Sequence, residues 1–316
     1  MLTYWQLLQL NVPIFAIIAV GGALRRVEWL TKSADESLLN VVVKFLCPCL
    51  IFDSVLGNPA LRDPSNLYLP PLIGFATISL TLGVAYWVAR RLGMERGTGL
   101  RTFAFATGLS NYAYIPIPLT AALFGRDILG VLFLLTVGCD AALWTVSILV
   151  LSGLSLREGW RKILNPPVWA LLAAVGLNLF GVAPLVPIVA LNIVHMCALC
   201  AIPMGLLLIG ATFGDVLLNE PLALVDARIT PISCALRLGL FPLIILVAAR
   251  MLPVSRELKE VLVVQAPMPA SILSLVIARH YGGRMSTAVQ VVVATTLIGV
   301  LAIPLWLRFG MAWVLR

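Results

Sequence analysis

Gly108-Leu109-Ser110-Asn111-Tyr112-Ala113-Tyr114-Ile115-Pro116-Ile117-Pro118 lies inside an apolar segment running roughly from Leu100 to Phe124. That segment is long enough to cross a bilayer. Two prolines spaced i, i+2 both lack an N–H, and each ring clashes with a carbonyl one turn back. The residue before each is pushed toward extended geometry. The backbone is therefore expected to open at Ile115–Pro118, leaving carbonyls without helical partners. Lipid cannot satisfy them; protein or a water-filled cavity must. A lone proline would signify a structural kink. Here Ser110 and Asn111 lie beside the break, and a second pair, Pro267-Met268-Pro269, stands in another apolar segment directly after Gln265-Ala266.

Composition extends this reading to the whole chain. Of 316 residues, 61% are hydrophobic and 11% charged, and the mean hydropathy is +1.03. A soluble domain could not cover that apolar surface, so an all-α polytopic membrane protein is expected. The formal charge of +8 sits at segment ends, as in cytoplasmic loops, and gives no reason to expect nucleic acid as a partner. Six cysteines lie mostly in apolar runs, which argues against a disulfide framework. The first apolar run has no basic residue before it and no small-residue cleavage pattern after it. It reads as a retained helix and not a signal peptide.

Ten apolar segments follow one another. They are approximately Leu7–Leu24, Leu38–Leu56, Tyr68–Ala89, Leu100–Phe124, Ile128–Leu151, Pro167–Val182, Val186–Phe213, Ile229–Ala249, Val261–Ala278 and Thr287–Leu307. Between the fifth and sixth, Arg157, Glu158, Trp160, Arg161 and Lys162 suggest a short interfacial helix. The loops after odd segments hold Arg25, Arg26, Lys32, Arg90, Arg91, Arg96, Arg101, Arg157, Arg161, Lys162, Arg228, Arg279 and Arg284. The opposite side holds Arg62, Arg126, Arg250, Arg256, Lys259, Arg308 and Arg316. The positive-inside rule thus places both termini outside a cell (inner) membrane.

The halves repeat. Asn11, Pro13, Ala16 and Ala19 in segment one match Asn165, Pro167, Ala170 and Ala173 in segment six, at an offset of 154. Pro48 answers Pro203, and Pro116-X-Pro118 answers Pro267-X-Pro269. Five segments per half is odd, so two inverted repeats are expected, residues 1–153 and 154–316. Broken helices at matching positions are the pattern of secondary transporters. The two half-helix N-termini would carry partial positive charge suited to an anion.

The stretch Asn111-X4-Pro116-X-Pro118-Leu119 resembles the auxin efflux carrier family, which includes plant PIN-FORMED proteins and bacterial malonate and malate permeases. So do Asn165-Pro166-Pro167, Pro203-Met204-Gly205 leading to Gly210-Ala211, Pro267-Met268-Pro269, and Ala278-Arg279-His280-Tyr281-Gly282. The resemblance covers essentially the whole chain. It implies ten helices in two inverted five-helix repeats, with segments four and nine crossing at their prolines. It further implies a scaffold of segments one, two, six and seven, a transport unit of the other six, a homodimer, and small carboxylate substrates.

The expected substrate contacts are Ser110, Asn111, Ile115, Pro116 and Pro118, with Gln265, Pro267 and Pro269 in the second break. Polar residues inside a membrane segment are costly and usually functional. The plainer role for Asn111 and Gln265 is to satisfy freed backbone. Asp140 is the clearest intramembrane carboxylate, a candidate for ion coupling or a structurally buried acid. Lys44 and Arg237 are expected to snorkel to the inner interface, and Asp53 to be solvated at an outer end. A competing reading is a soft-metal transporter built on Cys47, Cys49, Cys197 and Cys200 with His195, since thiolate and imidazole select Cu(I) or Zn. Cysteine packing as a small hydrophobe is the plainer account. A non-transporting receptor is a third class, but it leaves the paired breaks unexplained. An enzyme is not expected. His-Glu-X-X-His is absent, Asp140 has no second aspartate in a facing segment, and no Ser–His pair is apparent. Nothing calls for a cofactor or a resident metal.

Overall fold

In lipid, a chain can satisfy its own backbone N–H and C=O groups as a helix or a closed barrel. These apolar runs take the first course. The computed structural model describes residues 2–94, 98–152, 164–219 and 227–316. Among them run α1 (Tyr4–Arg26), α2 (Lys32–Val55), α3 (Ser65–Arg91), α4 (Thr98–Gly108), α5 (Pro116–Phe124) and α6 (Arg126–Leu151). They continue with α7 (Pro166–Leu179), α8 (Ile188–Asn219), α9 (Ile229–Met251), α10 (Arg256–Gln265), α11 (Leu273–His280) and α12 (Met285–Val314). Seven of them, α1, α2, α3, α6, α8, α9 and α12, are long and apolar enough to cross a membrane. The interfacial helix expected around Arg157–Lys162 lies outside the described residues.

Polar residues set the helix ends. Thr3 and Gln6 form a capping box on α1, and the Asn165 side chain caps α7 by accepting from the Val168 N–H at 3.1 Å. α2 starts at Lys32, well before the expected Leu38. Its first turns, Lys32-Ser33-Ala34-Asp35-Glu36, are polar but carry no helix breaker, so the helix extends beyond its apolar part. α7 stops at Leu179, short of the expected Val182, because the chain turns at Gly181 with φ +69°.

Small residues let the long helices touch backbone to backbone, the usual mode in membranes. A Cβ on Gly210 of α8 would lie 1.9 Å from the Ile18 carbonyl oxygen of α1. One on Gly138 of α6 would lie 1.8 Å from the Pro71 carbonyl oxygen of α3. Directions follow from contacts at both ends. Asn58, just before α3, donates to the Asp127 carbonyl at the start of α6, at 2.8 Å. Deeper in, Cys139 donates to the Gly74 carbonyl. α3 and α6 therefore run parallel. Gln290 donates to the Thr230 hydroxyl at 2.9 Å, Trp306 to the Leu238 carbonyl at 2.6 Å, and Arg250 to the Trp313 carbonyl. α9 and α12 are likewise parallel.

Prolines inside helices free the carbonyl four residues back, and neighbours repair the gap. Pro304 of α12 leaves the Val300 carbonyl free, and Asn11 of α1 donates to it at 3.0 Å. Pro242 of α9 leaves the Leu238 carbonyl free for the Trp306 indole. Thus Asn11 lies inside α1 bonding a foreign helix, whereas Asn165, its match by offset, is an N-cap. The same residue type does different work in the two halves.

Candidate functional site

α4 ends at Gly108, and the chain stays open from 109 to 115 before α5 begins at Pro116. This corrects the expected position of the break. Pro116 and Pro118 are the first and third residues of the new helix, where N–H groups have no intrahelical partner and proline is tolerated. The open stretch precedes them. In the second broken segment α10 ends at Gln265 and α11 begins at Leu273, so Pro267 and Pro269 do lie in the opened backbone.

The two openings pair with each other. Asn111 donates its N–H to the Pro269 carbonyl at 2.8 Å, and Ser271 donates to the Leu109 carbonyl at 3.0 Å. Between these bonds Ser110 and Ala270 form an isolated antiparallel bridge. Gln265 reaches across and donates from its side chain to the Tyr112 carbonyl at 2.8 Å. The Ala270 N–H donates to the Thr295 hydroxyl at 3.2 Å. Backbone that lipid could not satisfy is thus satisfied by the opposite break and by side chains from α10 and α12.

Arg237 completes this centre. It is 1% exposed, on a π-helical turn of α9 spanning Leu236–Leu240. Its Nε donates to the Met268 carbonyl at 2.8 Å and an Nη to the Gly108 carbonyl at 3.3 Å, joining both breaks. The guanidinium lies 5.4 Å from the centre of the Phe241 ring, and the Thr81 hydroxyl of α3 also donates to the Gly108 carbonyl, at 2.8 Å. The expected snorkelling of Arg237 is therefore overturned. The carbonyls freed at the crossing, including the negative end of α4, hold its charge in the interior. An arginine inside an apolar segment is a functional signal in itself, and that signal was available in the sequence.

The half-helix N-termini differ from expectation too. At α5 two of the first three residues are prolines without an N–H, and Ile117 donates to the Ala113 carbonyl at 2.9 Å. At α11, Leu273 donates to the Ser271 hydroxyl, Ser274 to the Ser271 carbonyl and Leu275 to the Ile272 carbonyl. These backbone donors are committed. Among the described residues, the Asn111 amide and the Ser110 hydroxyl make no hydrogen bond to the protein, although the two residues are only 7% and 4% exposed. Ile115, Pro116, Pro267 and Pro269 are buried as well, and Pro118 is half-buried.

Two tyrosines tie the first break to its surroundings. Tyr112 donates to Asp140 of α6 at 2.5 Å, and Asp140 also faces the Asn165 side chain at the start of α7. Tyr114 faces Cys47 of α2, and its ring packs so closely on Gly205 of α8 that a Cβ there would overlap it. Neither tyrosine was singled out from sequence, because nothing local announces the partners. The cysteines of the soft-metal reading are not gathered. Cys47 faces Tyr114, Cys49 faces Cys197, and Cys200 donates to the Met196 carbonyl of its own helix. His195 pairs with Asp53 at 3.0 Å, and Arg126 lies 3.8 Å from the same carboxylate, so Asp53 is an ion-pair centre and not simply solvated. Among the described residues no three His, Cys, Asp or Glu side chains are placed to hold a metal ion.

A many-helix membrane bundle whose two broken helices pair in its interior, around a buried cation, has the build of a transporter. The chain belongs to the membrane transport protein family, whose model matches residues 7–155 and 155–307, and its motifs are those of the auxin efflux carrier-like group. Members of this family are transporters and not enzymes. Over 302 residues the chain is 29% identical to an uncharacterized transporter of Methanothermobacter thermautotrophicus, covering 93% of this chain and 95% of that one.

Proposed function

We propose that the protein is an alternating-access carrier for a small organic anion, a carboxylate, bound where the two helix breaks cross. One observation carries this reading. The crossing holds a buried guanidinium on the Gly108 and Met268 carbonyls, and Asn111, whose main-chain N–H is on the adjoining Pro269 carbonyl, has an amide that makes no hydrogen bond to the described residues. A carboxylate there gains charge-assisted hydrogen bonding without adding an unpaired charge to the interior.

The proposed architecture is ten membrane crossings in two inverted five-helix repeats, residues 1–153 and 154–316. Helices α4 with α5, and α10 with α11, each count as one broken crossing, and α7 as a short one. The parallel course of α3 and α6, and of α9 and α12, supports this count, since one crossing must separate each parallel pair. In this reading α1, α2, α7 and α8 form the scaffold and the remaining helices the moving unit. Tyr114 on Gly205, and Asp140 with Asn165, are then contacts between the two. A homodimer in the inner membrane, with both termini outside, completes the proposal. Counterflow in proteoliposomes against a panel of mono- and dicarboxylates and indole acids tests it. Saturable exchange of one carboxylate group is expected, and exchange of none across the panel would overturn the substrate class.

A further inference from the structure

Broken-helix carriers commonly use unwound carbonyls and the C-terminal ends of half-helices to coordinate a coupling cation. Here the corresponding oxygens are already occupied. The Gly108 carbonyl closes the C-terminal end of α4, and the Met268 carbonyl stands in the second opened stretch. Both accept from Arg237, at 3.3 and 2.8 Å, and the side chain is 1% exposed. Among the described residues no carboxylate lies within ion-pair distance of it. A guanidinium is permanently charged and offers several donors in a fixed plane. It can therefore bridge two carbonyls from different segments as a bound metal ion would.

We infer that Arg237 is a tethered resident cation of the crossing, standing where a coupling Na+ would otherwise be held, so that transport proceeds without Na+. Its positive charge is fixed in the protein and does not travel with the substrate. It holds the two breaks together and gives the crossing a positive charge suited to an anion. The π turn at Leu236–Leu240 serves this placement, with the Trp306 indole taking up the Leu238 carbonyl that Pro242 leaves free. The transport consequence rests on the carrier reading above; the occupancy of the carbonyls by a tethered cation does not.

The test has two arms. In proteoliposomes, wild-type counterflow is expected to be equal in NaCl, KCl and choline chloride. Arg237→Ala is expected to lower flux in choline about tenfold or more, the scale of leaving buried carbonyls unpaired, and Na+ or millimolar guanidinium to restore part of it. In the second arm, thermal unfolding in detergent is read for the same variants and salts. Wild type is expected to be indifferent to Na+, and Arg237→Ala to melt lower and be raised by Na+ or by guanidinium at concentrations too low to denature. Should Arg237→Ala fail to fold, Arg237→Lys and Arg237→Gln decide. Lys keeps the charge and is expected to retain reduced but Na+-independent flux; Gln is expected to lose it. Wild-type flux that requires Na+ overturns the inference. So does an Arg237→Ala protein that melts like wild type in choline, or a Lys variant no better than Gln. If no carboxylate moves in any variant, the carrier reading falls, while the melting arm still reports on the resident cation.

Discussion

Asn111 is held by its backbone and left free in its side chain. The N–H is fixed on the Pro269 carbonyl while the amide has no protein partner among the described residues. Asn111→Ala is therefore expected to weaken carboxylate binding by about 1–3 kcal/mol, the usual scale for one buried polar contact. The fold should survive, because the main-chain bond is kept. Asn111→Asp is expected to bind worse than Ala, since it sets a second negative charge against the substrate. Equilibrium binding on purified protein at matched folding reads both; wild-type affinity in Asn111→Ala for every carboxylate would reduce Asn111 to a packing residue. Asp140 poses the coupling question. Asp140→Asn keeps an acceptor for Tyr112 and removes the ionisable group. If Asp140 carries a coupled proton, uptake driven by a pH gradient is lost in this variant while exchange persists, and an unaltered response to the gradient assigns Asp140 to structure. Both residues were legible in the sequence because a polar group in an apolar run has few innocent reasons to be there. Arg237 was visible for the same reason but misread. The expected snorkelling fails because the direction of the side chain is set by a π turn and by carbonyls of two other segments.

At the scale of elements, proline marks where helices yield, and the neighbours decide how. The two Pro-X-Pro pairs located the broken segments, but only the second pair lies in the opened backbone itself, because proline is as much at home in a first turn as in a break. The partnership of Asn11 with Pro304 was not legible at all, for its two members lie on helices nearly three hundred residues apart. It gives a clean test of the repair. Asn11→Leu leaves the Val300 carbonyl without a donor while Pro304 still cannot supply one, and is expected to cost about 1–3 kcal/mol of stability. Pro304→Ala restores the intrahelical donor. In the double variant the loss caused by Asn11→Leu is expected to shrink to a few tenths, a coupling that a double-mutant cycle in detergent unfolding reads directly. Strictly additive losses would show that Asn11 supports α12 by packing alone.

The whole molecule must also be placed in its membrane, and here sequence and contacts bear on the same question. The positive-inside rule puts both termini outside, from the basic residues that follow odd segments. The structure groups those residues by face. Arg25, at the end of α1, pairs with Asp35 of α2 and with Asp215 near the end of α8, so these ends share one side. The Arg284 N–H donates to the Thr102 hydroxyl, which brings Arg101 and Arg284 close at one side of the crossing. On the proposed outer side, Arg250 is tied to the Trp313 carbonyl at the end of α12, and Arg256 to Glu260 at 3.1 Å. The sorting is mechanical as well as statistical, because parallel helices such as α9 and α12 carry their ends together. A reporter at the C-terminus then has a definite expected outcome. Fused alkaline phosphatase is expected to be active and fused green fluorescent protein dark, and a phosphatase fused after Arg91 is expected to be inactive. An inactive C-terminal phosphatase with an active one after Arg91 would invert the orientation but keep an odd number of crossings between them. Activity at both sites, or at neither, would break the count itself. Four helices after Arg91, α6, α8, α9 and α12, are long enough to cross alone; the parallel pairs call for one crossing each from α4 with α5 and from α10 with α11, so an odd total then requires α7 to cross as well.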